Sequence, residues 1–148
     1  MIRTDKRMRL CVALLIANLI FIWGNSLLPG EISGAFSRWV GQLLGMSGTG
    51  TGGGRLRKLA HFMEFCALGM CLRWLFGMLL QSKRRPLLLP LGAGFLTACM
   101  DETIQMFVPG RGPGIKDVGI DTAGVAVGIV FISIIYQTKK YYHKEKYR

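Results

Sequence analysis

Residues 56–80 read LRKLAHFMEFCALGMCLRWLFGMLL, an apolar run that nevertheless carries Arg57, Lys58, His61, Glu64 and Arg73. Crossing ~30 Å of hydrocarbon takes about 20 residues of helix, so the run is long enough to span a membrane. Its opening, Lys58-x-x-His61-x-x-Glu64, puts charge where a lipid-facing helix has no use for it. An ionisable group in hydrocarbon costs about 2.5–3.5 kcal/mol on insertion scales, which turns it toward a protein interior or an aqueous cavity. One segment therefore bears on both the fold and a site.

Three more apolar blocks, 10–28, 86–108 and 118–136, accompany 56–80 in a chain of 148 residues that is 51% hydrophobic, with a mean hydropathy of +0.36. That composition is too apolar for an ordinary soluble domain. The expectation is an all-α membrane protein, a bundle of four transmembrane helices forming a single domain over 1–148, with tails at about 1–9 and 139–148. Arg3, Lys6, Arg7 and Arg9 precede the first block as in a secretory signal, but no A-x-A-like cleavage site follows, and the segment reads as a retained helix.

The connections are equally readable. Asn25-Ser26 and Leu28-Pro29-Gly30 read as a turn, after which Ile32, Phe36, Trp39, Val40, Leu43 and Leu44 recur at helical spacing, with Arg38 and Gln42 between them. This predicts a short interfacial amphipathic helix between the first and second spans. Residues 47–54, SGTGTGGG, read as a linker; they lack the Gly-Lys-Ser/Thr ending of a phosphate-cradling loop. Pro86 and Pro90 open the third span and Pro109-Gly110 closes it. Gly124 and Gly128 form a G-x-x-x-G for close helix packing, and Arg73 is placed to snorkel toward the inner surface.

The formal charge is +11, ten of which lie in three clusters: +3 over 3–9, +3 at Lys83-Arg84-Arg85 and +4 over 139–148. These alternate correctly with four spans if all lie in the cytoplasm. The expected location is the bacterial inner (plasma) membrane, multi-pass, both termini inside. The clusters flank spans and none lies on a nucleic-acid motif, so they read as topology and lipid-surface signals with no nucleic-acid partner. Cys11, Cys66, Cys71 and Cys99 sit inside apolar blocks without a C-x-x-C pair and read as small buried hydrophobes.

With this threading, His61 and Glu64 fall near the outer end of the second span, Asp101, Glu102 and Gln105 near that of the third, and Asp121 near that of the fourth. At 1.5 Å per residue, Glu64 lies roughly 12 Å below Leu56 and Asp101 roughly 10 Å below Val108. Three helices deliver charge to one layer, and i, i+3 or i, i+4 spacing places His61 with Glu64, Asp101 with Gln105, and Asp117 with Asp121 on shared faces. Asp101 and Glu102 point in different directions, so one of them is expected to do structural work, pairing with Arg111 or capping a helix. Asp117 reads as a first-turn carboxylate favoured by the helix dipole. Arg55, Arg57, Lys58, Arg111 and Lys116 flank the layer against the positive-inside bias, which suits an anionic group such as phosphate.

The segments 23–26 (WGNS), 58–69 (KLAHFMEFCALG), 101–111 (DETIQMFVPGR) and 117–124 (DVGIDTAG) resemble the VanZ-like family of small bacterial membrane proteins, named for a teicoplanin-resistance protein. The chain departs from the family's pattern at Phe65, where Tyr is usual, and at Gly112-Pro113-Gly114, where small polar residues are common. At the position of Asp121 similar proteins have Asp or Asn. The resemblance implies a place in the cell envelope, a link to glycopeptide resistance, and kinship with a wider group proposed to process lipid head groups.

Three functions compete. As an enzyme, a lipid head-group (phosphoester) hydrolase or transferase, the chain would use His61 as base or nucleophile, oriented by Glu64 or another carboxylate, with Asp101 and Glu102 as catalytic carboxylates. Lys58, Gln105, Arg111 and Asp121 would hold the substrate, a membrane lipid or a lipid-linked cell-wall precursor. As a binding module, the same layer would hold an anionic lipid or peptidoglycan precursor without altering it. A proton-coupled transporter is disfavoured by four spans without inverted repeats. No metal site is predicted: one His and scattered carboxylates form no spaced ligand motif, so a divalent cation is allowed but not indicated. Cofactors and oligomeric state are left open.

Overall fold

The computed structural model describes residues 6–43, 52–80, 87–112 and 114–146. Five helices and no strand occur among them: α1 (Lys6–Ser26), α2 (Gly30–Leu43), α3 (Gly52–Leu79), α4 (Leu88–Gln105) and α5 (Ile115–Lys146). The cluster at 83–85 and most of the 47–54 linker lie outside the described residues. Of that linker, Gly52 to Gly54 belong to α3, which starts a turn earlier than expected. Likewise α5 runs on without a break to Lys146, into the segment read as a tail.

Among the described residues, three helices are long and apolar enough to cross a membrane: Lys6–Ser26, Gly54–Leu79 and Ile115–Thr138. The expected fourth span, α4, is not among them. It has 18 residues, and its last five include Asp101, Glu102 and Gln105. Its apolar part, 88–100, covers only about 20 Å at 1.5 Å per residue. Pro90 costs α4 little, because the first N–H groups of a helix have no intrahelical acceptor.

Side-chain contacts fix the directions. Cys11 Sγ approaches the Cys71 carbonyl at 3.6 Å while Asn25 Nδ2 reaches Glu64, so α1 and α3 are antiparallel. Gly124 lies against Phe62 and Cys66, Gly128 against Cys66 and Met70, and Arg73 bonds Ser133; α3 and α5 are therefore parallel. Helix α4 runs with α1: Ser26 meets Asp101 near the C-terminal ends of both. One end of the bundle consequently gathers the starts of α3 and α5 and the ends of α1 and α4.

The α3–α5 seam is the closest in the fold, and small residues permit it. A Cβ at Gly128 would overlap the Cys66 carbonyl, and one at Gly69 the Val125 backbone. Without a hydrophobic driving force in lipid, such backbone approach and its dispersion contacts are what hold helices together. Around the seam Ile22, Phe65, Leu68, Leu72, Ala98, Val125 and Ile129 form the buried apolar core. The remaining apolar surface faces outward: Ile20, Phe21, Leu88, Leu96, Val130 and Phe131 are all exposed. That pattern suits hydrocarbon as the solvent rather than water.

Arg73 does not reach for the surface. It is buried, its Nε donates to Ser133 Oγ at 2.9 Å, and its guanidinium stands 5.8 Å from the Tyr136 ring centroid. The close α3–α5 seam brings both partners level with it, which offers hydrogen bonding and cation–π attraction inside the bundle.

Helix α2 is too short to span at 14 residues and packs on α3. Ile32, Phe36, Trp39 and Leu43 are exposed while Ser33 and Ser37 are buried, so its apolar stripe faces away from the protein. The turn before it docks on the loop after α4, where Gly30 N–H donates to the Pro109 carbonyl at 3.0 Å. Gly110 has φ +72°, open to glycine without strain, and a Cβ on Gly30 would strike its carbonyl.

Candidate functional site

The gathered end of the bundle holds the polar layer. His61 and Glu64 come from the third and fourth turns of α3, Asp101, Glu102 and Gln105 from the last turns of α4, Asp121 from the second turn of α5, and Arg111 from the α4–α5 loop. None of the seven is more than 9% exposed. Buried polar groups need partners, and those partners separate the seven into two sets.

The first set braces the framework. Glu64 Oε1 accepts from Asn25 Nδ2 at 3.0 Å, and the Glu64 carbonyl accepts from Asn18 Nδ2 at 3.3 Å, so this carboxylate faces α1. Asp101 and Asp121, rather than Glu64, stand beside His61 Nδ1. Glu102 Oε2 accepts from Gly114 N–H at 2.9 Å, immediately before α5. A carboxylate at that helix start satisfies an orphan donor and meets the positive end of the dipole.

Arg111 belongs to the same set. Its Nε donates to the Leu28 carbonyl at 3.0 Å and its Nη2 to the Asn25 carbonyl at 2.6 Å, capping the C-terminal end of α1. Burial and the nearby Arg57 guanidinium pull Arg111 below the ordinary arginine value, against the opposing carboxylates of Asp101, Glu102 and Glu64. A guanidinium starts so far above neutrality that it stays charged. The arginine expected on phosphate is thus bound to main-chain carbonyls.

The second set converges on His61. Asp101 Oδ1 accepts from Ser26 Oγ at 2.5 Å and Oδ2 from Gln105 Nε2 at 2.8 Å, which locks its rotamer. Asp101 Oδ2 then stands 3.7 Å from His61 Nδ1, and Asp121 Oδ1 stands 4.0 Å from the same nitrogen. Neither Asp121 oxygen nor His61 Nε2 has a hydrogen-bond partner among the described residues.

His61 and Asp121 line a small cleft, partly open to solvent, together with Arg57, Lys58, Glu102 and Gln105. Lys58 Nζ is 3.0 Å from Asp117 Oδ1, with the lysine half exposed. Asp117 does sit in the first turn of α5, and the lysine partner adds to that position. Arg57 was not singled out from the sequence among the outer cations. Its signal was its place four residues before His61, on the same face of α3. Asn25 and Ser26, expected in a turn, instead close the last turn of α1, where their side chains reach Glu64 and Asp101.

An apolar helical bundle whose ionisable groups are buried against one another is the architecture of a multi-pass membrane protein. The chain belongs to the VanZ/LLP1 family, which it matches over residues 7–136. No curated protein and no solved structure matches it.

Proposed function

We propose that this VanZ-family protein takes the phosphate-bearing head group of a membrane lipid, or of a lipid-linked cell-wall precursor, into the cleft at its polar end and breaks a phosphoester bond there. The observation that carries the reading is one buried imidazole, His61, facing the carboxylates of Asp101 and Asp121 while lining a cleft shared with Arg57 and Lys58. Cations neutralise the phosphate and stabilise charge that grows in the transition state. The oxygen of water, or of an acceptor hydroxyl, forms the new P–O bond and gives its proton to His61 Nε2. The ester P–O bond breaks, and the departing oxygen takes a proton from solvent.

In this reading the polar end faces outward across the bacterial plasma membrane, with both termini in the cytoplasm. Helix α4 serves as a short fourth span beside Lys6–Ser26, Gly54–Leu79 and Ile115–Thr138, and α2 lies in the outer interface with Ile32, Phe36 and Trp39 in the acyl boundary. Support comes from the basic clusters at 3–9, 83–85 and 139–148, which this threading leaves on one side. Acting on a cell-wall precursor, the protein would bear on glycopeptide sensitivity.

The test is turnover. Purified protein in nanodiscs is incubated with labelled polyprenyl phosphates and phospholipids, and products are sought by mass spectrometry. Product that vanishes in His61→Ala while lipid binding persists is the expected result. Binding unchanged in His61→Ala, with no product from any lipid, identifies a non-catalytic binding module instead. For the threading, a cysteine at Thr51 should be labelled from outside intact cells; labelling only from the cytoplasmic side overturns it.

A further inference from the structure

His61, Asp101 and Asp121 surround a gap that hydrogen bonds do not fill. The separations of 3.7 Å and 4.0 Å from His61 Nδ1 exceed the ~3.2 Å that such bonds reach. All three side chains are buried, at 6%, 0% and 0% exposure, and both oxygens of Asp121 are without a hydrogen-bond partner among the described residues. A sealed, unpaired carboxylate carries a large desolvation penalty, and a second carboxylate beside it adds repulsion. Of the cations nearby, Lys58 pairs with Asp117 and Arg111 bonds the carbonyls at the end of α1, and Arg57 lines the cleft without an ion pair to either aspartate among the described residues.

A small divalent ion fits this gap. Ligand atoms bound at about 2.1 Å in a tetrahedral site stand roughly 3.4 Å apart; the donor atoms of the trio lie within 4.8 Å of one another, with 3.7 Å and 4.0 Å from His61 Nδ1 to the two carboxylates, so an ion binds here by drawing the side chains slightly inward. Asp101 already has the outer support that metal-ligating carboxylates commonly carry, from Ser26 and Gln105. The sequence hid the set because each ligand comes from a different helix, which leaves no spaced motif.

We propose that His61, Asp101 and Asp121 bind one divalent cation, Mn²⁺ or Zn²⁺. Imidazole favours zinc, carboxylates favour manganese, and the mixed set admits both, whereas Mg²⁺ and Ca²⁺ prefer oxygen ligands alone. Three protein ligands leave coordination positions free beside the cleft, where such an ion polarises a phosphoryl oxygen or lowers the pKa of a bound water. The proposal deepens the head-group reading by sharing its cleft, and it changes the part played by His61. With Nδ1 on the ion, Nε2 carries a proton and donates to phosphate instead of accepting from water.

Ion binding is measured on the full chain in detergent, stripped with chelator and supplied with no lipid substrate, using Mn²⁺ by electron paramagnetic resonance and Zn²⁺ by calorimetry. One ion per chain is expected, lost in Asp121→Asn and in His61→Ala, and kept in Glu64→Gln, a buried carboxylate outside the trio. Ser26→Ala is expected to weaken binding by ~10–100-fold, as loss of outer-shell support does. Should a variant fail to fold, the wild type decides: imidazole-nitrogen coupling to bound Mn²⁺ that survives His143→Gln supports the site, and its absence overturns it. No stoichiometric ion on the folded wild type, or binding unaltered by Asp121→Asn, also overturns it. Turnover by chelator-stripped protein that His61→Ala abolishes refutes the ion and keeps the head-group reading; ion binding without turnover of any lipid does the reverse.

Discussion

Asp121 Oδ1 stands 4.0 Å from His61 Nδ1, sealed from solvent and without a hydrogen bond to either carboxylate oxygen among the described residues. In metal-free protein such a group is a cost rather than a support. Asp121→Asn keeps the shape and removes a buried charge and its repulsion with Asp101, so it should stabilise the chelator-treated protein. Thermal unfolding in detergent reads this as a higher melting temperature. A lower one would mean that the carboxylate is favourably paired in the native state.

Much of this arrangement was legible in the chain. Apolar blocks located α1, α3, α4 and α5, the 3.6-residue recurrence of Ile32, Phe36, Trp39 and Leu43 located α2, and threading brought His61, Asp101 and Asp121 to one layer. Partner choice was not legible, because it depends on the rotation of each helix about its axis. Asn25 captures Glu64 and Arg111 caps α1, yet i, i+3 spacing alone put Glu64 as near His61 as any carboxylate. Arg73 shows the same limit: snorkelling is the default for a helix in lipid, and it was overridden by Ser133 and Tyr136 on a neighbour. The length of α4 was blurred by counting the polar turn at Asp101 to Gln105 into its apolar block.

The α3–α5 seam predicts an asymmetry between two glycines of one helix. Gly128→Ala drives a Cβ into the Cys66 carbonyl, backbone that cannot rotate aside, whereas Gly119 has nothing within 4 Å of an added Cβ. Overpacking of this kind costs about 1–3 kcal/mol, while alanine at an open helical position gains roughly 0.5–1 kcal/mol. Melting temperatures of Gly128→Ala and Gly119→Ala should therefore move in opposite directions. Equal shifts would refute the close seam.

Ser26→Ala tests the brace on Asp101. The hydroxyl donates to Asp101 Oδ1 at 2.5 Å and accepts from Gln105 Nε2 at 3.3 Å, all three groups being buried. Hydrogen bonds to charged groups contribute about 1.5–3 kcal/mol, so a loss of that size is expected in denaturant unfolding. Ser26→Thr keeps the donor and should recover most of it. A neutral Ser26→Ala would show that Asp101 is satisfied in some other way.

Two arginines on the polar end should behave as opposites. The Arg111 guanidinium is bound to the carbonyls of Asn25 and Leu28, geometry that the point charge of lysine does not reproduce. Arg57 lines the cleft beside His61. Arg111→Lys is accordingly expected to lower the melting temperature by an amount equivalent to about 1–3 kcal/mol, because carbonyls at the end of α1 lose their donors, with lipid affinity changed little per folded molecule. Arg57→Gln should leave the melting temperature almost unmoved and weaken binding of phosphate-bearing lipid. The salt dependence of that binding should also flatten, since a partly exposed cation acts through a screened field. Nanodisc binding at two ionic strengths, paired with unfolding curves, separates the two. If Arg111→Lys abolishes lipid binding without loss of stability, the capping role is wrong and phosphate recognition moves to the α4–α5 loop.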